Sequence, residues 1–164
     1  MEDAPIFVYG TLKKGEPNHY LLNDKTIGNS KFLGKAKLID EYPLVISPNS
    51  NVPILLPKKG TGKIVEGELY QVDGAMLSRL DQLEGHPEIY VRTDIDCCLL
   101  VTNDTEHPVG DAIKVKCQIY FLTDFKPTLL DLPYINDYRD SVEKPFLPDG
   151  TESLFIEEVK LSQT

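Results

Sequence analysis

Ile113-Lys114-Val115-Lys116-Cys117-Gln118-Ile119-Tyr120-Phe121 alternates apolar and polar residues almost without a break. Successive side chains of a strand point to opposite faces, so this period of two predicts a strand with one buried face. Working outward, residues 95–101 are less regular and apolar toward their end, as in a strand covered on both sides. Residues 102–111 between the two are polar, contain Pro108 and Gly110, and read as a loop. Residues 64–72 predict a further strand, with Glu66 and Glu68 on one face and Val65 and Leu69 on the other. Residues 36–46 read as two extended pieces interrupted by Pro43, and residues 52–56 as another. At the N-terminal end, Ile6-Phe7-Val8 is a short apolar run ending at Tyr9-Gly10, a strand entering a turn. Residues 11–18 form a polar loop, after which Asn18 caps a short helix through Leu22. Pro127, Pro133, Pro145 and Pro148 break up the C-terminal part, and residues 154–159 add an edge strand or wander over the surface.

One convincing helix interrupts these strands. Asp73 is a good N-cap, residues 75–83 are mostly helix formers, and Gly85 is placed to stop it. Many short strands with few helices predict an α+β fold: a single domain over residues 1–164, built round a curved sheet or a small mixed β-barrel.

Composition narrows the function. A chain of 164 residues, 41% hydrophobic, can bury one good core. Its net charge of −9 argues against nucleic-acid partners, which demand clustered Lys and Arg. No apolar run approaches a membrane span of about 20 residues, and Met1-Glu2-Asp3 does not open a signal peptide. Cys97, Cys98 and Cys117 are odd in number and two are adjacent, which suits neither a disulfide framework nor a zinc site. Reduced strand thiols in the cytoplasm are the expectation, and the Asn103-Asp104-Thr105 sequon is then idle. His19, His86 and His107 are scattered and read as loop histidines.

Two places could carry chemistry. On the helix, at about 100° per residue, Met76, Leu77, Leu80 and Leu83 form one apolar stripe, and Glu84 falls about 20° from Leu77. Glu84 therefore sits at the edge of the buried stripe and at the negative end of the helix dipole. Both effects raise a carboxyl pKa toward the range useful for proton transfer. The alternative is a Glu84 that frays into solvent at the helix end. Asp81, further round toward water, reads as an ordinary acid. The second place is Tyr9-Gly10-Thr11-Leu12. Gly10 permits a backbone conformation closed to other residues, so successive N–H groups can face one concavity suited to a carboxylate or oxyanion. Lys13 and Lys14 add positive field there, and a plain turn is the alternative. Tyr90, shortly after Glu84, could line the same cavity.

The run Val8-Tyr9-Gly10-Thr11-Leu12-Lys13-Lys14-Gly15, with Pro17-Asn18-His19, resembles the opening of the gamma-glutamylamine cyclotransferases, within the gamma-glutamyl cyclotransferase-like superfamily that includes AIG2-like proteins. The resemblance continues in order through Tyr42-Pro43-Leu44-Val45-Ile46, Asn51-Val52-Pro53, Val65-Glu66-Gly67-Glu68-Leu69-Tyr70, Leu80-Asp81 with Glu84, and Tyr90 followed by Arg92. Tyr138 corresponds by the same resemblance to a further family tyrosine, while residues 140–164 are divergent. The resemblance implies a small barrel, Glu84 as general acid and base, and a substrate-holding segment at Tyr9, Gly10, Thr11 and Leu12, with Tyr90 beside it. It implies release of 5-oxo-L-proline from a small gamma-glutamyl substrate such as gamma-glutamyl-epsilon-lysine, without metal or other cofactor. A monomer without nucleic-acid or membrane partners is expected. The other readings are a cyclotransferase acting on gamma-glutamyl α-amino acids, and a non-catalytic binding module of the same fold.

Overall fold

Five strands long enough to pair on both edges can close on themselves, and this chain does so. The computed structural model describes residues 5–100, 113–141, 145–146 and 152–161, without the side chains of 152–154. In chain order the elements are β1 (Ile6–Val8), β2 (Ser30–Leu38), β3 (Leu44–Ile46), β4 (Pro53–Leu55), β5 (Glu66–Val72), α1 (Gly74–Glu84), β6 (Tyr90–Leu99), β7 (Ile113–Leu122) and α2 (Glu152–Val159). Short 3-10 helices occupy His19–Asn23 and Pro127–Asp131. The barrel runs β1-β5-β2-β6-β7 and closes where β1 meets β7 in parallel; β3 and β4 form a separate two-stranded sheet.

Alternation along the strands sorts the core into two clusters. Phe7 of β1, Leu69 of β5, Ala36 and Leu38 of β2, Cys97 of β6, and Cys117, Ile119 and Phe121 of β7 form one cluster. Because all five strands contribute to it, it fills the barrel. The opposite faces supply Ile6, Val8, Tyr70, Val72 and Leu122, which pack with Met76 and Leu80 of α1 and Phe155 and Val159 of α2.

The 113–121 strand is present and continues to Leu122, with its alternation giving way to burial on both faces at its end. β6 begins at Tyr90, five residues before the predicted start. α1 matches its prediction closely: the Asp73 side chain accepts from the Met76 amide at 2.9 Å, and Gly85 closes the helix at φ 64°. Other expectations are corrected. Residues 154–159 belong to a helix, since Phe155 and Val159, four residues apart, both reach the core. Asn18 precedes a 3-10 turn and spends its amide on the Thr11 hydroxyl at 2.9 Å instead of capping. Glu68 is buried, accepting from the Lys14 amide and the Tyr70 hydroxyl, both at 2.9 Å, whereas Glu66 on the same face of the strand is exposed. The cysteines carry free thiols. The 102–111 loop, with the sequon and His107, lies outside the described residues.

Candidate active site

β1 ends where the two core clusters meet, and a cavity of about 420 Å³, counted to its open mouth, lies there. Phe7, Val8, Tyr9, Gly10, Thr11 and Leu12 form one side; Val52, Pro53, Glu84, Tyr90 and Tyr120 complete it. All six residues singled out from the sequence, Glu84, Tyr9, Gly10, Thr11, Leu12 and Tyr90, therefore line one space. Val52, Pro53 and Tyr120 had no assigned place there. For Tyr120 a signal existed: it is an amphipathic side chain at the end of the polar face of β7.

Glu84 is half-buried and turned to the cavity by the stripe geometry of α1. Among the described residues, no hydrogen bond or ion pair engages its carboxylate. Its pKa is pushed up to about 7, by burial first and by the negative charge of Asp81 second. Asp81 is not the solvated acid expected. Arg92 grips it with Nε at 3.0 Å and Nη2 at 3.2 Å, and the Tyr120 hydroxyl donates to it at 2.7 Å. Arg92 in turn donates to Gln118 Oε1 at 2.7 Å, and its amide to His86 Nδ1 at 3.0 Å. One of two neighbouring carboxylates is thus held ionised by a guanidinium and a hydroxyl, and the other is left bare.

The tyrosines around Glu84 are held as neutral hydroxyls. Tyr9 is buried and donates to the Tyr120 carbonyl at 2.7 Å; Tyr90 donates to the Pro53 carbonyl at 3.2 Å. Burial raises the pKa of both, and Glu84 adds to it. Tyr120 is raised by burial and then by its bond to Asp81.

Gly10 has a different role from the one expected. It does not adopt a left-handed conformation. A Cβ at this position would lie 2.8 Å from Pro53 Cγ, so glycine is needed for close approach. Among the described residues, no backbone carbonyl accepts from the amides of Gly10, Thr11 and Leu12. Lys13 does not serve the cavity: its buried Nζ donates to the Asp137 carboxylate and, at 2.6 Å, to the Tyr138 carbonyl. Lys14 Nζ lies over the Phe32 ring, 3.4 Å from its centroid. Tyr138 is buried in the barrel cluster and does not line the cavity. Among the described residues, no three His, Cys, Asp or Glu could hold a metal. None of the helices there is long and apolar enough to cross a membrane.

A closed barrel whose strand end opens into a cavity, with a carboxyl of raised pKa in its wall, suits an enzyme that acts on a small molecule. The family description "Gamma-glutamyl cyclotransferase, AIG2-like" matches residues 6–140. Gamma-glutamylaminecyclotransferase of Homo sapiens is 41% identical over 138 residues, covering 82% of this chain and 89% of that one. The protein of the same name from Bos taurus is 41% identical over 135 residues, covering 82% and 75%. A crystal structure of an AIG2-like protein from Mus musculus superposes with a TM-score of 0.82 at 35% identity, over 92% of this chain and 99% of that one. The chain belongs to the gamma-glutamyl cyclotransferase, AIG2-like family and is an enzyme of that cyclotransferase type.

Proposed function

We propose that this chain is a gamma-glutamylamine cyclotransferase that releases 5-oxo-L-proline and a free amine, with gamma-glutamyl-epsilon-lysine as substrate and Glu84 as the acid–base group. The observation that carries this reading is the bare Glu84 carboxyl, pKa about 7, lining one cavity with the Gly10–Leu12 segment, whose amides, among the described residues, meet no backbone carbonyl.

The substrate's α-amine is protonated at neutral pH and cannot attack. Glu84, ionised in part at that pH, takes one proton from it. The nitrogen then attacks the γ-carbonyl, forming the ring C–N bond while the carbonyl oxygen gains charge. As the bond to the departing amine breaks, Glu84 returns the proton to that nitrogen; it then takes the second proton from the new ring nitrogen and passes it to the freed amine, which leaves as an ammonium ion, so the enzyme ends as it began. Ring closure is intramolecular, so what remains for the protein is to fold the ligand toward attack and to stabilise the oxyanion. The amides of Gly10, Thr11 and Leu12 serve as anchors for the glutamyl headgroup. The three free thiols suit a reducing compartment, and we place the enzyme in the cytoplasm.

Incubation with gamma-glutamyl-epsilon-lysine and measurement of 5-oxoproline tests the reading, with wild type producing it and Glu84→Gln not. Faster turnover of gamma-glutamyl-alanine would transfer the assignment to α-amino acid leaving groups. No turnover of either by wild type would leave a binding module.

A further inference from the structure

The family match ends at residue 140, yet a helix beyond it touches one residue of the cavity wall and the turn that leads into another part of it. The Phe155 ring of α2 stacks on Tyr90, with centroids 6.1 Å apart and planes inclined by 15°. One turn further along α2, the Glu158 carboxylate accepts from the amides of Asn49 and Ser50 and from the Ser50 hydroxyl, the Ser50 bonds being 3.1 and 2.6 Å. The turn thus gripped is internally tied: the Ser47 hydroxyl pairs with that of Ser50 and accepts from the Val52 amide at 2.8 Å, and the Ser47 amide donates to the Val52 carbonyl at 2.9 Å. Asn51 within it stands at φ 57°, a left-handed conformation that needs support from its surroundings. Val52 and Pro53, which follow directly, line the cavity, and the Tyr90 hydroxyl bonds the Pro53 carbonyl. Phe155, Tyr90, Pro53, the 47–51 turn and Glu158 therefore form a closed ring of contacts, with α2 on its outer side.

We propose that α2 is a positioning element of the site: through Glu158 and Phe155 it holds the Val52–Pro53 and Tyr90 wall at the distance from Glu84 that a bound gamma-glutamyl compound requires. The inference rests on the cyclotransferase reading above. Glu158 does not line the cavity and acts only through the turn. The helix stays anchored without that carboxylate. Phe155 and Val159 are in the core, the Val159 carbonyl accepts from the Lys126 amide at 2.8 Å, and the Leu161 amide donates to the Asp124 carbonyl at 3.3 Å. Removing the charge therefore releases the turn and not α2.

The test compares Glu158→Ala, Glu158→Gln and, as a control on the exposed side of the same helix, Glu157→Ala. Loss of charge-assisted bonds to the turn raises KM for gamma-glutamyl-epsilon-lysine about tenfold in Glu158→Ala, with kcat within about twofold of wild type. Glu158→Gln keeps one acceptor oxygen but sets its NH2 against the other donor, so it recovers only part of that loss; Glu157→Ala leaves KM unchanged. Backbone amide NMR gives a readout independent of turnover: the Gly10, Val52 and Tyr90 resonances shift in Glu158→Ala and not in the control. A Glu158→Ala protein with a lower melting temperature but unaltered KM and unaltered resonances would overturn the proposal, leaving the carboxylate as a fastening for the helix. If wild type makes no 5-oxoproline from any gamma-glutamyl amine, the cyclotransferase reading fails instead, and the three resonances alone decide whether α2 shapes the wall.

Discussion

Replacing Glu84 by Gln removes a charge at nearly constant volume, and the structure gives that change two opposite consequences. In the folded chain the carboxyl titrates at about 7, against an ordinary value of 4.5. Between those two pH values the unfolded chain has released the proton while the folded chain still holds it. Stability therefore falls as pH rises through that window, and the loss is complete above it. The gap corresponds to about 3 kcal/mol, or about 6–12 °C in melting temperature for a domain of this size. Urea unfolding of both proteins at pH 4 and pH 8 isolates the effect, because any difference in packing between Glu and Gln cancels on subtraction. Relative to wild type, Glu84→Gln gains about 3 kcal/mol between pH 4 and pH 8, while 5-oxoproline formation at pH 8 drops by about 10²–10⁴-fold. A variant whose stability parallels wild type at both pH values would refute the claim that protein has replaced solvent around this carboxyl. Undiminished turnover would remove its acid–base role.

The same titration sets the activity profile: kcat/KM rises with pH through about 7 as Glu84 ionises. Asp81→Asn removes the like charge beside it, so the acidic limb moves to lower pH while activity at pH 8 suffers far less than in Glu84→Gln; a limb that stays in place refutes the coupling. Gly10→Ala sets a Cβ 2.8 Å from Pro53 Cγ and forces the proline ring aside. It costs about 1–3 kcal/mol of stability by overpacking and raises KM, which denaturation and steady-state kinetics will show together. Gly85→Ala puts a side chain at φ 64° and against Ile89, losing about 1–2 kcal/mol from the left-handed conformation alone, readable as a lowered denaturant midpoint.

What was legible in the sequence followed from period and capping, which act locally. The alternation of β7 and the Asp73-to-Gly85 frame of α1 needed no distant partner to be read, and the second of these put Glu84 at the edge of a buried stripe. The parts that misled depend on residues far apart in the chain. Asp81 looked solvated on a helical wheel because nothing in residues 74–84 announces Arg92 or Tyr120. Nothing near Glu68 announces its main cover, the Lys14 amide, which comes from fifty-four residues away and is joined by the Tyr70 hydroxyl two residues along the same strand. Gly10 was credited with an unusual backbone, when the reason for it is Pro53, forty-three residues downstream. Residues 154–159 offered only six positions and a mixed pattern, too few to separate a strand from a helix; the core into which Phe155 and Val159 insert decides for the helix.

The contrast between Asp81 and Glu84 carries the chemical logic of the site. Two carboxylates three residues apart on one helix would ordinarily repel and titrate together. Here Arg92 and Tyr120 hold Asp81 through three hydrogen bonds, and among the described residues no cation pairs with Glu84. The fixed negative charge then works on its neighbour, adding to the effect of burial and lifting Glu84 into the range where it both accepts and returns a proton at neutral pH. A guanidinium moved next to Glu84 would lower that pKa and leave a carboxylate too weak a base for the α-ammonium group. The distribution of a single arginine between two acids thus separates a structural carboxylate from a reactive one, and Arg92 on β6, paired across the barrel wall with Tyr120 on β7, is where the fold makes that choice.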